Sequence, residues 1–274
     1  MSVFDEPKID CHCHVLDPAR VPYAPDVAYR PAGQEIAPLD QYLQAMDAYG
    51  IRHALLVGPN SGYGLDNRCL LDAIAQGEDR FKGIAVVPLD IDRNGLVDLR
   101  ARGIVGVALN ATVLGVAYCL QAGPLLRLLA GLDMMLSLQV QDDQLVELLP
   151  LLETSGVRVL IDHCGRPAAG QGIGQPGFQA LLGLARSGRV AVKLSGHQKF
   201  SALAPPFADT LPFLEALIDA FTLDACLWAS DWPFLKAPQR LDVGPLLRQV
   251  ERLLPDAADR RKLFWSTPRR WLGF

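Results

Sequence analysis

Short apolar segments alternate with amphipathic segments along the whole 274-residue chain. Eight of the short segments are predicted strands: Ile9–Val15, His53–Gly58, Gly83–Pro88, Gly106–Asn110, Met134–Val140, Arg158–His163, Val190–Ser195 and Cys226–Ser230. Apolar residues recur every three or four positions in the other segments, which predicts helices at Leu39–Tyr49, Asp66–Gln76, Leu96–Ala101, Pro124–Gly131, Gln144–Thr154, Phe178–Arg186, Leu211–Phe221 and Val243–Leu254. Nearly continuous apolar strands separated by helices indicate a parallel sheet covered on its faces. Eight such units favour a closed (β/α)8 TIM-type barrel of the α/β class.

An open, doubly wound sheet is the alternative architecture. No Gly-x-Gly-x-x-Gly motif follows a predicted strand, and Gly62 and Gly64 are too few for a phosphate-binding loop. A TIM-type barrel occupies roughly 250 residues, so residues 1–274 are predicted to form one domain. The irregular segment Leu16–Pro38 is too long for a simple connection and is predicted to be an active-site loop.

Composition and charge argue against several classes of protein. The formal net charge is −4 and there is no long run of Lys and Arg, so nucleic acid is not an expected partner. No apolar run reaches the roughly 18 residues of a membrane span, and the first residues lack a signal-peptide pattern. The six cysteines fall mostly in apolar segments, as reduced core residues do. A cytoplasmic location without membrane contact is therefore expected.

Polar side chains gather at the carboxyl ends of three predicted strands. The first strand ends with His12 and His14, the sixth with His163 and the eighth with Asp231. Catalytic residues of barrel enzymes lie at this rim, so we predict that these four side chains converge there. A single histidine in such a place is usually structural, but two buried imidazoles on one strand need several partners. A nucleophilic role for Cys164, beside His163, is the less favoured interpretation.

The spacing in the first strand separates its histidines from its cysteines. Side chains of a strand alternate between faces, so His12 and His14 share one face while Cys11 and Cys13 share the other. The histidines are predicted to face the barrel mouth and both cysteines the helix layer. The four side chains therefore cannot meet at one metal ion.

The order of four motifs resembles the amidohydrolase superfamily. These are His12-x-His14, Asp162-His163-x-Gly-Arg166, Lys193-Leu-Ser-Gly and Ser230-Asp231-Trp-Pro. The sequence is most similar to the amidohydrolase-related branch that contains 2-pyrone-4,6-dicarboxylate lactonase and the sugar-acid lactonases, and the resemblance covers essentially the whole chain.

The resemblance implies a distorted (β/α)8 barrel that hydrolyses a small-molecule lactone. On this basis His12, His14 and His163 would polarise the lactone carbonyl, and Asp231 would accept the proton of the attacking water.

The resemblance leaves the metal question open. Gln139 and Gln141 stand where metal-dependent members offer His, and Gln is a poor zinc ligand. His12, His14 and Asp231 would remain as ligands for a zinc ion, with His163 as an outer candidate. The lactonase branch works without a metal, and histidine donors can stabilise an oxyanion, so hydrolysis without a cofactor is favoured.

The chain departs from the dicarboxylate lactonase at the fourth strand. That family has Gly-Val-Arg-Phe-Asn there, where the Arg binds a substrate carboxylate, but this chain has Ala108 in place of the Arg. The pyrone dicarboxylate is therefore doubtful, and a monoanionic or neutral lactone is the better prediction. Arg166, His197 and Lys199 could hold one anionic group. Five uncharged polar side chains would suit hydroxyls or a carbonyl: Tyr23, Asn60, Ser61, Tyr63 and Asn110.

Two rival functions remain. A metal-dependent decarboxylase or amidohydrolase of the same superfamily is the first, although the missing fifth-strand His argues against it. A barrel that binds a ligand without turnover is the second. Asp231 argues against that function, because a buried acid beside three histidines is costly unless it is used or paired.

Overall fold

The computed structural model describes residues 2–27 and 29–274. Eight strands form one sheet in the order β1 to β8, and every neighbouring pair is parallel. They are β1 Lys8–Cys13, β2 Ile51–Val57, β3 Phe81–Ala85, β4 Ile104–Asn110, β5 Met135–Gln139, β6 Arg158–Ile161, β7 Val190–Leu194 and β8 Cys226–Trp228. All eight predicted strands are confirmed, with small shifts at their ends.

Backbone hydrogen bonds join β1 to the residues that follow β8. Asp231 donates its N–H to the carbonyl of His12 at 2.9 Å, and His14 donates to the carbonyl of Trp232 at 2.8 Å. These two bonds form a seam between the first and last strands. The sheet is therefore a TIM-type (β/α)8 barrel, as predicted.

Twelve helices surround the sheet among the described residues, and eight of them correspond to the predicted ones. They are α1 Leu39–Ala48, α2 Arg68–Gln76, α3 Arg93–Ala101, α4 Ala111–Leu114, α5 Val116–Cys119, α6 Gly123–Gly131, α7 Gln144–Ser155, α8 Pro176–Leu184, α9 Leu211–Phe221, α10 Val243–Leu253, α11 Ala257–Arg261 and α12 Thr267–Leu272. The short α4 and α5 were not predicted, because four residues carry too little periodicity. None of the helices among the described residues combines the length and apolar character needed to cross a membrane.

Apolar side chains form two clusters, one between sheet and helices and one inside the barrel. Leu272 of α12 packs into the inner cluster. Lys82 of β3 donates to the carbonyls of Leu272 at 2.8 Å and Gly273 at 2.7 Å. The C-terminal residues thus pack against the amino-terminal end of the barrel, which leaves the carboxyl end for a site.

The prediction that Cys11 faces the helix layer is wrong. Cys13 belongs to the outer cluster, whereas Cys11 packs inside the barrel with Ile9 and Leu227. The pairing of β1 with β2 changes register between Asp10 and Cys13, which breaks the strict alternation of faces. All six cysteines are buried and free, in agreement with the predicted reduced state.

The segment Leu16–Pro38 does not line the cavity that contains His12, His14 and His163. None of its described residues lines that cavity, so the predicted active-site loop is a supporting element instead. Its Glu35 carboxylate accepts a hydrogen bond of 2.6 Å from the N–H of Lys236, and Lys236 does line the cavity.

Candidate active site

A cavity of about 430 Å³ opens at the carboxyl ends of the strands. This volume is in the range of small-molecule sites. Its lining is mainly polar and includes His12, His14, Asn60, Ser61, Ala108, Asn110, Thr112, Ser137, Gln139, Gln141, Asp162, His163, Arg166, Gln198, Lys199 and Lys236. The predicted histidines therefore meet at one rim. Asp231 does not line the cavity but lies directly against residues that do.

Three of the four predicted catalytic side chains form a compact group. One ligand atom each from His12, His163 and Asp231 lies within 4.8 Å of the other two. A central point is then no more than about 2.8 Å from each atom, which is hydrogen-bond distance for one water oxygen. His14 lies beside the group, with its ring centroid 5.0 Å from that of His12.

Asp231 is a buried carboxylate with one oxygen held and one unpartnered. Gln198 donates to Oδ2 at 2.6 Å, and Lys199 Nζ lies 3.1 Å from the same oxygen. Oδ1 lies 3.6 Å from His163 Nε2 and has no hydrogen-bond partner among the described residues. Burial acts to raise the pKa of Asp231, but the Lys199 ammonium outweighs it and lowers that pKa below its usual range. Asp231 is therefore ionised, and its Oδ1 can accept a hydrogen bond or a proton.

His14 and His163 are both held as neutral rings. Burial lowers the pKa of His14 to about 3. Burial likewise lowers the pKa of His163 well below its usual range. His14 Nδ1 lies 2.7 Å from the carbonyl oxygen of Val57, which can only accept, so Nδ1 carries the proton. His14 Nε2 is then an acceptor. The predicted role of His14 in polarising a carbonyl would need a proton on Nε2, and this tautomer carries its proton on Nδ1.

His163 is fixed by its neighbours on β7 and by an unusual backbone. Its Nδ1 lies 3.0 Å from Ser195 Oγ, and a Cβ on Gly196 would lie 2.5 Å from the same nitrogen. His163, Arg166 and Asp231 all have positive φ angles, of 52°, 45° and 63°. Non-glycine residues rarely adopt this conformation, and such strain clusters at functional sites.

A buried polar network beneath the histidines was not predicted. Lys193 Nζ lies 2.8 Å from Asp162 Oδ1, 2.9 Å from Ser137 Oγ and 3.2 Å from His12 Nδ1. Ser137 also donates to Asp162 Oδ1 at 2.8 Å. The available signal was a lysine inside the apolar strand β7, where a fully buried cation requires partners.

A second buried carboxylate, Asp10, holds the seam. It accepts hydrogen bonds from the N–H of Ser230 at 2.8 Å, the hydroxyl of Tyr42 at 2.8 Å and the N–H of His12 at 3.2 Å. The Ser230 hydroxyl also donates to it. Asp10 therefore ties the His-x-His strand to the residue before Asp231.

Five of the eight predicted substrate-binding residues line the cavity: Asn60, Ser61, Asn110, Arg166 and Lys199. Asn110 Oδ1 caps α4 by accepting from Thr112 N at 3.0 Å, so only its amide nitrogen is available. Arg166 Nη1 lies 3.4 Å from Thr112 Oγ1, and Arg166 makes no ion pair within the described part of the chain.

The other three lie outside the cavity lining. The Tyr23 hydroxyl donates to the carbonyl of Pro31 at 3.0 Å, and the Tyr63 hydroxyl accepts from Asp17 N at 3.0 Å. His197 is buried against aromatic rings, and burial lowers its pKa to about 4. Sequence position alone could not show that these side chains pack into loops and core.

The residues present do not fit a zinc ion well. The compact group contains His163 in place of the predicted ligand His14. Lys199 Nζ is 3.1 Å from the Asp231 carboxylate, and Lys193 Nζ is 3.2 Å from His12 Nδ1. Two ammonium groups so close to the ligand atoms oppose a divalent cation. The second nitrogens do have the partners that metal-binding histidines usually have, because His14 Nδ1 faces the Val57 carbonyl at 2.7 Å and His12 Nδ1 lies 3.5 Å from Asp162 Oδ1.

Proteins of known activity resemble this chain over almost its full length. A 4-sulfomuconolactone hydrolase of Rhizobium radiobacter is 33% identical over 96% of this chain and 89% of that protein. A 2-pyrone-4,6-dicarboxylate hydrolase of Comamonas testosteroni is 27% identical over 96% of this chain and 88% of that protein.

A solved structure shows the same architecture. The structure of a probable 2-pyrone-4,6-dicarboxylic acid hydrolase from Acinetobacter baumannii, with citric acid bound, superposes with a TM-score of 0.89. It is 29% identical and covers 97% of this chain and 99% of that chain. The amidohydrolase family model (Amidohydro_2) matches residues 9–274. The family model, the barrel and the rim histidines together show that the chain is a member of the Amidohydro_2 amidohydrolase family.

Proposed function

We propose that this protein hydrolyses the ring ester of a small anionic lactone without a metal ion. The observation that carries the proposal is the ionised Asp231, whose unpartnered Oδ1 faces His163 beside a polar cavity. The relatives named above are lactone hydrolases, which supports this reaction class.

In the proposed reaction, one water molecule lies between His163 and Asp231, and His12 lies beside it. Its oxygen attacks the lactone carbonyl while Asp231 accepts its proton. The tetrahedral intermediate collapses, the acyl–oxygen bond of the ring breaks, and the proton passes to the departing ring oxygen. The product is the open-chain hydroxy acid, and no electron donor or acceptor is needed.

The charges around the cavity favour a substrate with one anionic group. Lys199 is already paired with Asp231, and Lys236 Nζ lies 4.5 Å from the centroid of the Tyr29 ring. Arg166 also lines the cavity and has no carboxylate partner among the described residues. Ala108 lines the wall where the dicarboxylate lactonases have an Arg. A guanidinium suits a carboxylate or a sulfonate, so Arg166 is the proposed anchor.

The test is a panel of lactones assayed by acid release in a pH-stat, with and without chelator. The panel includes 4-sulfomuconolactone, muconolactone and sugar-acid lactones. We expect turnover of at least one anionic lactone, unchanged by the chelator. Carbon dioxide release instead of acid release, or activity that zinc restores after chelation, would replace this proposal with the decarboxylase or metal-dependent hydrolase.

Asp231→Asn tests the base directly. The amide keeps the shape but cannot accept the proton, so kcat is expected to fall by roughly 10²–10⁴-fold with the fold retained. Asp98→Asn, the same change on the exposed face of α3, is the control. Turnover of Asp231→Asn within threefold of wild type would remove Asp231 from the mechanism.

A further inference from the structure

Lys193 is a fully buried cation whose three contacts match its three N–H bonds. Its partners are Asp162 Oδ1, Ser137 Oγ and His12 Nδ1, at 2.8, 2.9 and 3.2 Å. A protonated lysine donates three hydrogen bonds and accepts none. The contact with Asp162 is an ion pair. Burial acts to raise the pKa of Asp162, but the charge of Lys193 outweighs it and holds that pKa well below its usual range.

Two groups face His12 Nδ1: Lys193 Nζ at 3.2 Å and Asp162 Oδ1 at 3.5 Å. The lysine is the nearer of the two, and Asp162 Oδ1 already accepts from Ser137 and pairs with Lys193. Because Lys193 Nζ can only donate, a hydrogen bond between Lys193 and His12 requires a lone pair on His12 Nδ1. A neutral imidazole carries one N–H, so that proton lies on Nε2. Nδ1 is occupied by Lys193, and Nε2 is the nitrogen left for the group that contains His163 and Asp231.

We propose that Lys193 is a positioning residue that fixes His12 as its Nε2–H tautomer. This inference rests on the proposed lactone hydrolysis for its catalytic meaning but not for its geometry. His12 then donates a hydrogen bond toward the carbonyl oxygen that becomes an oxyanion. The same tautomer cannot ligate a metal through Nε2, since the lone pair of that nitrogen belongs to the ring.

The two histidines of the His-x-His motif thereby have opposite roles. His14 donates from Nδ1 to the carbonyl of Val57 at 2.7 Å, so its Nε2 accepts. His12 accepts at Nδ1 from Lys193, so its Nε2 donates. One ring offers a proton and its neighbour offers a lone pair, although the sequence presents the same residue type twice.

Long-range 15N–1H NMR of the histidine rings tests the proposal without any substrate. In the wild-type protein we expect His12 as Nε2–H and His14 as Nδ1–H in the same spectrum, assigned by loss of signals in His12→Gln and His14→Gln. An Nδ1–H tautomer of His12 in wild type would overturn the proposal. The result is independent of turnover, so a failed lactone panel and a failed tautomer assignment are distinguishable.

The variant that tests causation is Lys193→Met combined with Asp162→Asn. The double change removes both charges of the ion pair, so no unpaired buried charge is left to unfold the barrel. The amide oxygen that Asp162→Asn leaves at this position can then accept from His12 Nδ1, and we expect His12 to switch to Nδ1–H. Ser137→Ala alone keeps both charges of the ion pair and is expected to keep the wild-type tautomer.

Zinc uptake and kinetics give two further readouts. The double variant frees His12 Nε2 as a ligand, so its affinity for Zn²⁺ by calorimetry is expected to rise at least tenfold over wild type. Loss of an oxyanion donor should lower kcat by roughly 10²–10³-fold and change KM much less. An unchanged tautomer and unchanged zinc affinity in the folded double variant would overturn the role of Lys193.

Discussion

Replacing Lys199 with methionine tests whether a neighbouring cation keeps the proposed base ionised. Lys199 Nζ lies 3.1 Å from Asp231 Oδ2, with the carboxylate side chain 1% exposed and the lysine side chain 18% exposed. Two unit charges at this distance interact by about 5 kcal/mol at an effective dielectric constant of about 20. That energy corresponds to an upper limit of about four pKa units, and solvent near Lys199 reduces it.

The sign of the effect follows from which form of Asp231 is active. Hydrolysis needs the carboxylate, and the lowered pKa of wild-type Asp231 keeps it ionised at moderately acidic pH. Without Lys199, burial is less opposed and the pKa of Asp231 rises. We expect kcat/KM of Lys199→Met to fall toward acid pH, with the acid limb displaced upward by at least about one pH unit.

The assay is kcat/KM for an active lactone from about pH 3 to about pH 8, with spontaneous hydrolysis subtracted, so that an acid limb raised from the low wild-type pKa of Asp231 falls within the measured range. Lys236→Met is the matched control, because Lys236 also lines the cavity but is not paired with Asp231. Its ammonium lies 4.5 Å from the centroid of the Tyr29 ring instead. Identical pH profiles for wild type and Lys199→Met would refute the reasoning. An equal displacement in Lys236→Met would show that net charge, rather than the ion pair, sets the profile.

Two further substitutions test the packing of His163 and the substrate anchor. Gly196→Ala places a methyl group 2.5 Å from His163 Nδ1, so kcat should fall by at least tenfold. Gly188→Ala is the control, because Gly188 has a similar positive φ but no atom within 4 Å of the added methyl group. This control should lose about 1–2 kcal/mol of unfolding free energy in urea and keep its kcat. Equal activities of the two folded variants would contradict the contact argument. Arg166→Met should raise KM for an anionic lactone at least tenfold and leave KM for a neutral lactone nearly unchanged, measured by steady-state kinetics; a similar rise for both would show that Arg166 does not read substrate charge.

The fold was predictable because its signals are local. Each strand is an apolar run bounded by turn residues, and each long helix repeats its apolar positions. The eight alternating strands and helices can therefore be recognised in the sequence without knowledge of tertiary contacts. The short α4 and α5 escaped because their shape depends on capping by Asn110 and on Gly115 rather than on periodicity.

The positions of the candidate site residues were predictable only for side chains at the carboxyl ends of strands. His12, His14, His163 and Asp231 follow from the rule that barrel chemistry gathers at the carboxyl rim. The partnership of Lys193 with His12 depends instead on the register between distant strands, which no local pattern contains.

The face of Cys11 was predicted wrongly for a related reason. A change of register within β1 breaks the alternation on which the prediction depended. Such an irregularity depends on contacts with β2, which the spacing of residues along one strand does not record.

The seam between β1 and the residues after β8 determines when, during synthesis, the candidate site can be assembled. Asp10 and Ser230, which it joins, are 220 positions apart, and His12 meets Asp231 across the same junction. A chain emerging from the ribosome presents its first two imidazoles long before their carboxylate partner is made. The proposed hydrolysis therefore requires a closed ring of strands, and an incomplete translation product that ends before Asp231 would have the histidines without the proposed base.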